Sequence, residues 1–313
     1  MPDVPSSWVV SEAYAGLQAQ GLGLAEAAGL APDIREIAAR APWKFVTAKL
    51  WPRPLAALPP GQLVPPWPGI VIACGGTGAA VGLAMAGRGT DIVAVQHPRM
   101  DPRRFRLVVV NRHDDLTGPN VLITRTALHR VTAARLAAAR VEWADRFAHL
   151  PRPLVSLLVG GSNGRFRLDV TVASALVAQL AAMMHADRVG LVVTPSRRTD
   201  PAVVKLFTDT LGPLGAFVWD GSGKNPYFGM LALSDLILVT EDSVSMISEA
   251  MATTAPAMLA RLPGRSRRIG RFIEDVMASG RVRDFTGRYE PWPVVPMNDT
   301  LEAGAEMRRR LGY

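Results

Sequence analysis

The sequence predicts an α/β protein that contains two doubly wound, parallel-sheet domains in tandem. Three observations predict this class. Short apolar runs rich in Val, Ile and Leu recur without polar alternation, as in strands that are covered on both faces. Helical segments separate these runs, and each half of the 313-residue chain has one run that leads into a Gly-Gly turn. The length suits two domains of ordinary size.

The predicted elements follow from these patterns in chain order. In the first half, strands are predicted at residues 8–10, 70–73, 91–95, 107–110 and 121–124. In the second half, they are predicted at residues 154–159, 189–194, 216–219, 236–240 and 257–260. The intervening helices are predicted at residues 18–28, 128–147 and 171–185. Buried strands that alternate with helices indicate two Rossmann-like domains.

The predicted boundary between the domains lies near residues 148–153, where a long helix ends and two prolines precede a new strand. We therefore expect an N-terminal domain over residues 1–150 and a C-terminal domain over residues 151–297. Residues 298–313 are expected to form a final helix that packs across the pair.

The composition limits the classes of partner and the compartment. A net charge of +8 and a pI near 10.3 favour anionic partners such as nucleotides and phospholipid surfaces. We expect no nucleic-acid partner. The single Cys74 excludes an intrachain disulfide framework and suits a reducing compartment. With no secretory signal in the first residues, we expect a cytoplasmic protein, with peripheral contact to the inner membrane as a further expectation.

Glycine-rich turns follow one predicted strand in each half. Residues 160–164 read GGSNG, and glycines at such a position expose backbone N–H groups that suit phosphate. Gly160, Gly161, Ser162 and Asn163 are therefore candidate ligand-binding residues. The spacing also fits a nucleophile elbow, but Arg165 to Leu168 intervene before the helix, which excludes it. The turn at residues 75–78 lacks the third glycine of a dinucleotide fingerprint.

Two further loops of the second half carry candidate binding residues. Thr194, Ser196, Arg197 and Arg198 end the predicted strand at 189–194, and paired arginines beside hydroxyls suit a diphosphate. Asn225 and Tyr227 follow the next strand, where an aromatic side chain suits a wall for a base or a sugar. A plain surface turn is the alternative for each loop.

The densest polar stretch is residues 240–250, TEDSVSMISEA, which follows the apolar run 236–239. Ser243 or Ser245 is expected to cap a helix whose free N–H groups face phosphate oxygens. Glu249 lies one turn beyond Ser245 on the same face, where a carboxylate can accept both hydroxyls of a ribose. The candidate residues here are Glu241, Asp242, Ser243, Ser245, Met246 and Glu249.

In the first half, His113 and Asp114 follow the predicted strand at 107–110, so an imidazole and a carboxylate lie at another carboxyl edge. The histidine is a candidate general base, and a structural histidine is the alternative. The sequence has no Asp-x-Asp pair, no HExxH and no P-loop, so we expect no tightly held metal.

These motifs together resemble the family named for the plant "elongated mitochondria" fission factor, which has many bacterial members. The resemblance covers nearly the whole chain. It rests on residues 160–166, 196–198, 225–227 and 239–250, with support from His113-Asp114, residues 120–121 and 129–130, Gly16 and Gln20. It implies a GT-B-like architecture, with the two domains facing a cleft. It also implies that Glu249 holds the ribose of a nucleotide and that Ser243 and Ser245 belong to a diphosphate loop.

The resemblance implies two classes of function. The first is a metal-independent glycosyltransferase that uses a UDP- or GDP-sugar as substrate, has no tightly bound cofactor, and takes His113 or Glu12 as base. Its acceptor would be lipid-linked or held at a membrane surface. The second is a non-catalytic adaptor that recruits a protein partner. Epimerisation or hydrolysis of the nucleotide-sugar is a third alternative.

Overall fold

The computed structural model describes residues 5–313 and divides into two compact units. The first unit contains residues up to Arg130 together with Asn298–Tyr313, and the second contains Val131–Met297. The boundary therefore lies earlier than the predicted residue 150, because the helix at 133–147 packs with the second unit. The terminal helix, predicted to span both domains, belongs to the first unit.

The first unit is a six-stranded sheet with helices on both faces. Its strands are β1 (Ser7–Ser11), β2 (Asp33–Glu36), β3 (Ile70–Cys74), β4 (Asp91–Val95), β5 (Leu107–Asn111) and β6 (Val121–Thr124). Its helices are α1 (Ala15–Ala27), α2 (Gly75–Leu83) and, from the end of the chain, α9 (Thr300–Leu311). The strand order is β2-β1-β3-β4-β5-β6, and all of these pairings are parallel.

Alternate residues of these strands supply two separate cores, because successive side chains of a strand point to opposite faces. Val71 and Ala73 belong to the core on the α2 side, and Ile70 and Ile72 belong to the core that includes residues of α1 and α9. Cys74 lies in the second of these cores. Burial raises the pKa of the Cys74 thiol to about 12, which makes it an unreactive core residue.

The second unit repeats this plan. Its strands are β7 (Leu154–Val159), β8 (Gly190–Pro195), β9 (Phe217–Val218), β10 (Leu236–Thr240), β11 (Ala257–Ala260) and β12 (Val282–Asp284). Its helices are α3 (Ala133–Phe147), α4 (Val170–Asp187), α5 (Pro201–Leu211), α6 (Tyr227–Leu233), α7 (Val244–Met251) and α8 (Arg267–Ala278). The strand order is β12-β11-β10-β7-β8-β9, again with parallel pairings.

Both sheets are doubly wound, so each has a point where the strand order reverses and a crevice opens at the carboxyl ends of the strands. The reversal lies between β1 and β3 in the first sheet and between β7 and β10 in the second. Ligands of open α/β sheets bind at such points. These two places are therefore where the loops can form a site.

Helix α4 is the one helix of residues 5–313 that is long and apolar enough to cross a membrane. Leu176, Val177, Leu180 and Met183 on one side of α4 are buried in the core of the second unit. The apolar character of α4 is thus explained by packing against the sheet.

Candidate functional site

The predicted loops of the second unit converge at the carboxyl edge of its sheet. The glycine turn follows β7, the Ser196–Arg198 loop follows β8, and Glu241 to Ser243 follow β10. Because β7 lies between β8 and β10, the three loops are neighbours around the reversal point. The structure therefore brings together most of the residues that the sequence pattern selected.

The glycine turn is filled by the protein itself. The Gly160 amide donates to Thr240 Oγ1 at 2.7 Å, and the Gly161 amide donates to Asp242 Oδ2 at 3.2 Å. A Cβ at Gly160 would lie 2.3 Å from both carboxylate oxygens of Asp242. The expectation of free amides that face a ligand is wrong for these two residues. Gly160 is needed for the close approach of Asp242, and Gly161 is needed for the close approach of the Arg198 backbone.

Asp242 is an internal anion at this point. Its side chain is 0% exposed, and it accepts hydrogen bonds from Arg198 Nη2 at 2.7 Å and from Thr240 Oγ1 at 2.7 Å. Arg198 also donates through Nη1 to the Gly161 carbonyl at 3.0 Å. A buried carboxylate is stable only with such partners. Arg198, which was predicted to bind diphosphate, thus neutralises Asp242, while its neighbour Arg197 is exposed.

Other predicted residues stabilise the loops. Ser162 Oγ accepts from the Leu168 amide at 2.8 Å and donates to the Leu168 carbonyl. Asn163 Oδ1 accepts from the amides of Arg165 and Phe166. Ser196 Oγ donates to the Gly160 carbonyl at 2.8 Å. These hydrogen bonds fix the conformation of the loops. The Ser162, Asn163 and Ser196 side chains that form them are already bonded within the protein.

The strand β10 leads into α7 through a short turn. Ser243 caps the helix by accepting from the Met246 amide at 3.4 Å, and its carbonyl accepts from the Ile247 amide. The first turn of a helix leaves amides without intrahelical partners, which here belong to Val244 and Ser245. Ser245 and Met246 are partly exposed. The amides of Val244 and Ser245 are the backbone donors at the start of α7 that have no partner within the helix.

Glu241, which precedes Asp242 in the loop after β10, has a structural role. Its carboxylate accepts from Arg261 Nη1 at 2.9 Å and from the Leu262 amide at 2.7 Å. Both partners follow β11, so Glu241 joins the loops after β10 and β11.

Thr194 is buried at the end of β8, and its hydroxyl has no hydrogen-bond partner within residues 5–313.

Glu249 lies one turn beyond Ser245 on α7, and its carboxylate accepts a hydrogen bond from the Tyr227 hydroxyl. Burial raises the pKa of Glu249 from 4.5 to about 7, and the hydrogen bond from Tyr227 opposes part of this rise. Burial and then the charge of Glu249 raise the pKa of Tyr227 well above its ordinary value of 10.0. Tyr227 therefore stays protonated and holds one oxygen of Glu249.

Tyr227 is positioned by the start of α6. Asn225 Oδ1 accepts from the Tyr227 amide at 2.9 Å, an arrangement that fixes the turn before the helix. The Tyr227 ring packs edge-to-face on Phe228, with ring centroids 5.8 Å apart. Asn225 and Tyr227 thus form one polar cluster with Glu249, which lies 22 residues beyond Tyr227 in the sequence.

In the first unit, the three candidate catalytic residues do not share one site. Glu12 follows β1 and lines a cavity of ≈ 550 Å³. His113 is buried in a single 3-10 turn after β5, and the carboxylate of Asp114 accepts from the Asn111 amide in the same turn. Neither His113 nor Asp114 lines the cavity.

The cavity lies at the reversal point between β1 and β3, which is the expected place for a ligand. Its walls come from the carboxyl ends of β1, β2, β3 and β4 and from the segment between β2 and β3. Residues that sequence reasoning missed form much of it, namely Trp43, Lys44, Lys49, Trp51 and Arg99. No group of three or more His, Cys, Asp or Glu side chains in the described part of the chain is placed to hold a metal ion.

The fold defines the class of protein. The structure resembles the UDP-GlcNAc 2-epimerase of Methanocaldococcus jannaschii, with a TM-score of 0.57, 11% identity, and coverage of 98% of this chain and 99% of that one. It also resembles the glycosyltransferase SnogD of Streptomyces nogalater, with a TM-score of 0.53, 12% identity, and coverage of 99% and 95%. Two Rossmann-like domains shared with such proteins place the chain in the GT-B fold class.

Sequence comparison gives the family. The family model described as mitochondrial fission ELM1 matches residues 15–311, and the chain belongs to this family. It is 32% identical over 274 residues to the mitochondrial fission protein ELM1 of Arabidopsis thaliana, which covers 78% of this chain and 64% of that protein. It is 27% identical over 196 residues to an uncharacterized protein of Rickettsia prowazekii, which covers 60% and 54%. The chain thus spans less than two thirds of the length of either relative.

Proposed function

We propose that the second unit binds a nucleoside diphosphate sugar and that the protein is a metal-independent glycosyltransferase. One observation carries the proposal. Helix α7 begins at the reversal point of the sheet with its first amides toward the carboxyl edge, and one turn further along it presents a carboxylate. The first turn offers N–H donors to a phosphate, and the carboxylate one turn further on offers acceptors to the hydroxyls of a ribose.

The electrostatics of this edge support the proposal. Arg198 neutralises Asp242, so the internal carboxylate does not leave a bare negative charge beside the phosphates. The amides of Val244 and Ser245 and the exposed Arg197 then supply positive potential. Glu249 has one oxygen bonded to Tyr227 and can accept from ribose hydroxyls with its remaining lone pairs.

The chemistry would be a single displacement. A hydroxyl of the acceptor loses its proton to a carboxylate and attacks the anomeric carbon of the sugar. The bond from that carbon to the diphosphate oxygen breaks, and its electron pair leaves with the diphosphate. Amides at the start of α7 stabilise that charge. Glu12 is the better candidate base in this proposal, because it lines a cavity that can hold an acceptor.

The names of the structural neighbours agree with a nucleotide-sugar ligand, since one is an enzyme of UDP-GlcNAc and another is a glycosyltransferase. The likeness to the plant fission protein favours a second candidate, a non-catalytic adaptor that has kept the fold. The filled glycine turn also fits an adaptor, since two amides expected to bind ligand bind Asp242. Epimerisation or hydrolysis of the sugar nucleotide is a third candidate.

Isothermal titration with UDP- and GDP-sugars tests the proposal. We expect binding by the wild-type protein and an affinity about 100-fold lower for Glu249→Ala, because hydrogen bonds to a charged acceptor contribute about 1.5–3 kcal/mol each. Glu274→Ala is the matched control, since Glu274 is an exposed glutamate on α8 of the same unit. Analysis of the products then separates transfer from epimerisation and hydrolysis.

Absence of binding by the wild-type protein would contradict the proposal, as would equal binding by wild type and Glu249→Ala. If the protein does not bind sugar nucleotides and instead isolates with one partner in fixed ratio, the adaptor is the better account.

A further inference from the structure

The segment between β2 and β3 has an unusual charge distribution. Between Glu36 and Asp91 the sequence contains no Asp or Glu. The same residues include five cations, which are Arg40, Lys44, Lys49, Arg53 and Arg88. Two of the chain's four lysines, Lys44 and Lys49, lie only five positions apart. This part of the first unit therefore carries a local net charge of +5, out of +8 for the whole chain.

Large apolar side chains are exposed in the same place. We define residues 43–51, WKFVTAKLW, as the 43–51 loop. Phe45 is 79% exposed, Leu50 is 65% exposed, and Val46 lies beside Phe45 with 38% exposure. Scattered exposed apolar residues are normal, but three within six positions, interleaved with two lysines, form a patch.

The loop has a fixed conformation that presents these side chains. Trp51 is buried, and its Nε1 donates to the Val46 carbonyl at 2.9 Å. Ala48 is buried as well, in one of two 3-10 turns at Trp43–Phe45 and Ala48–Leu50. Ala48 and Trp51 thus anchor the 43–51 loop to the core on the α2 side of the first sheet. The exposed side chains of the loop do not pack in that core.

The lysines of the loop are free to meet an external anion. Neither Lys44 nor Lys49 forms an ion pair within the described residues, and both are exposed. The Lys44 ammonium lies 4.9 Å from the centroid of the Phe45 ring, so a cation and an aromatic ring share one tip of the loop. Glu12 and Glu36 are the acids that line the adjacent cavity.

We propose that the 43–51 loop is a docking surface for an anionic phospholipid bilayer, with Phe45 and Leu50 entering the interface and Lys44 and Lys49 at the level of the lipid phosphates. A lysine keeps its ammonium in the headgroup region while its methylenes lie along apolar surface. Basic residues near a cytoplasmic leaflet are attracted by its anionic lipids, and apolar side chains add the burial that holds the protein there.

A bilayer fits these observations better than a protein partner. The segment has no acid between residues 37 and 90. Lys44 and Lys49 border the cavity, whereas Phe45 and Leu50 are single exposed apolar side chains that do not line it. A surface of many anionic headgroups can pair with Lys44 and Lys49 in any orientation of the protein about the membrane normal. The inference goes beyond the proposed function, and it holds whether or not the second unit binds a nucleotide.

Flotation of the full chain with vesicles tests this proposal. One set contains phosphatidylcholine with about 30% phosphatidylglycerol, and the other contains phosphatidylcholine alone. We expect the wild-type protein to float with the anionic vesicles and to stay behind with the neutral ones. The pair Lys44→Gln and Lys49→Gln should lower the partition coefficient by at least about tenfold, as should the pair Phe45→Ser and Leu50→Ser.

The matched control is the pair Val141→Ser and Val295→Ser, since these valines are 80% and 81% exposed and lie in the second unit. This variant should float like wild type, and circular dichroism should show that all variants are folded.

Three results would overturn the proposal. These are failure of the wild type to bind anionic vesicles, equal binding to neutral vesicles, and wild-type binding by the Phe45/Leu50 variant. A partner protein would remain as the occupant in the first case.

Discussion

Gly161→Ala is expected to destabilise the second unit by about 3 kcal/mol, which corresponds to about 10 °C in its Tm. A Cβ at this position would lie 2.1 Å from the carbonyl oxygen of Arg198 and 2.4 Å from its carbonyl carbon. These are backbone atoms of the loop after β8, and they cannot rotate away. Relief of the clash requires the loops after β7 and β8 to separate, which also breaks the contacts of Arg198 with Gly161 and Asp242.

Gly164→Ala provides the control for this prediction. Gly164 lies in the same turn, and a Cβ there would meet nothing within 4 Å. Thermal and urea unfolding of both variants should therefore show a large loss of stability for Gly161→Ala and little change for Gly164→Ala. Equal stability of the two variants would show that the turn does not pack against Arg198 in the way described.

Glu249→Gln is expected to make the protein more stable by about 2 kcal/mol at pH 8 and to leave its stability near that of wild type at pH 4. Folding raises the pKa of Glu249 from 4.5 to about 7, so the folded state binds more protons than the unfolded state between these values. The free energy of unfolding of the wild type should then fall as pH rises through that window.

The size of this effect follows from the shift. Each pKa unit corresponds to 1.36 kcal/mol, so the full shift would cost about 3 kcal/mol above pH 7. A glutamine does not ionise and can still accept from the Tyr227 hydroxyl, but it accepts more weakly than a carboxylate, which returns part of the gain. The comparison needs denaturant unfolding at several pH values, with Glu274→Gln as the exposed control on α8.

A difference in stability between Glu249→Gln and wild type that does not vary between pH 4 and pH 8 would contradict the environment assigned to Glu249. A residue that lowers stability at neutral pH and is nevertheless present is typical of a functional site. If Glu249→Gln is more stable than wild type and also loses nucleotide binding, the stability cost of Glu249 is connected to its role in binding.

Much of the fold could be predicted because buried parallel strands are apolar at every position. The runs at residues 70–73 and 236–240 are strands of this kind and were predicted almost to the residue. The edge strands β2 and β12 were missed, since DIRE and VRD contain one apolar residue each. A strand at the edge of a sheet has one neighbour and tolerates charge, so it lacks the apolar pattern.

The site could be predicted in part. Polar loops after buried strands must meet at one edge of a parallel sheet, which placed the loops after β7, β8 and β10 together. The filling of the glycine turn could not be predicted, because it depends on a contact between Gly161 and Asp242 across two strands. Local sequence does not distinguish a glycine that admits a ligand from one that admits a side chain of the same protein.

The cavity of the first unit was missed for a different reason. Its walls at Trp43 and Trp51 come from a segment without a regular element, and no motif marks it. The absence of acids from residues 37–90 was a signal that could have found it. Charge distribution along the chain therefore carried information that periodicity and motifs did not.

In the proposed site, Glu249 accepts hydrogen bonds from the hydroxyls of a ribose. Titration with UDP and with 2′,3′-dideoxy-UDP, for wild type and for Glu249→Gln, tests this role most directly. We predict that the wild type binds UDP at least about tenfold more tightly than the dideoxy analogue and that Glu249→Gln binds both with similar, weak affinity. Equal affinity of the wild-type protein for the two nucleotides, or the same preference in the Glu249→Gln variant, would contradict the claim.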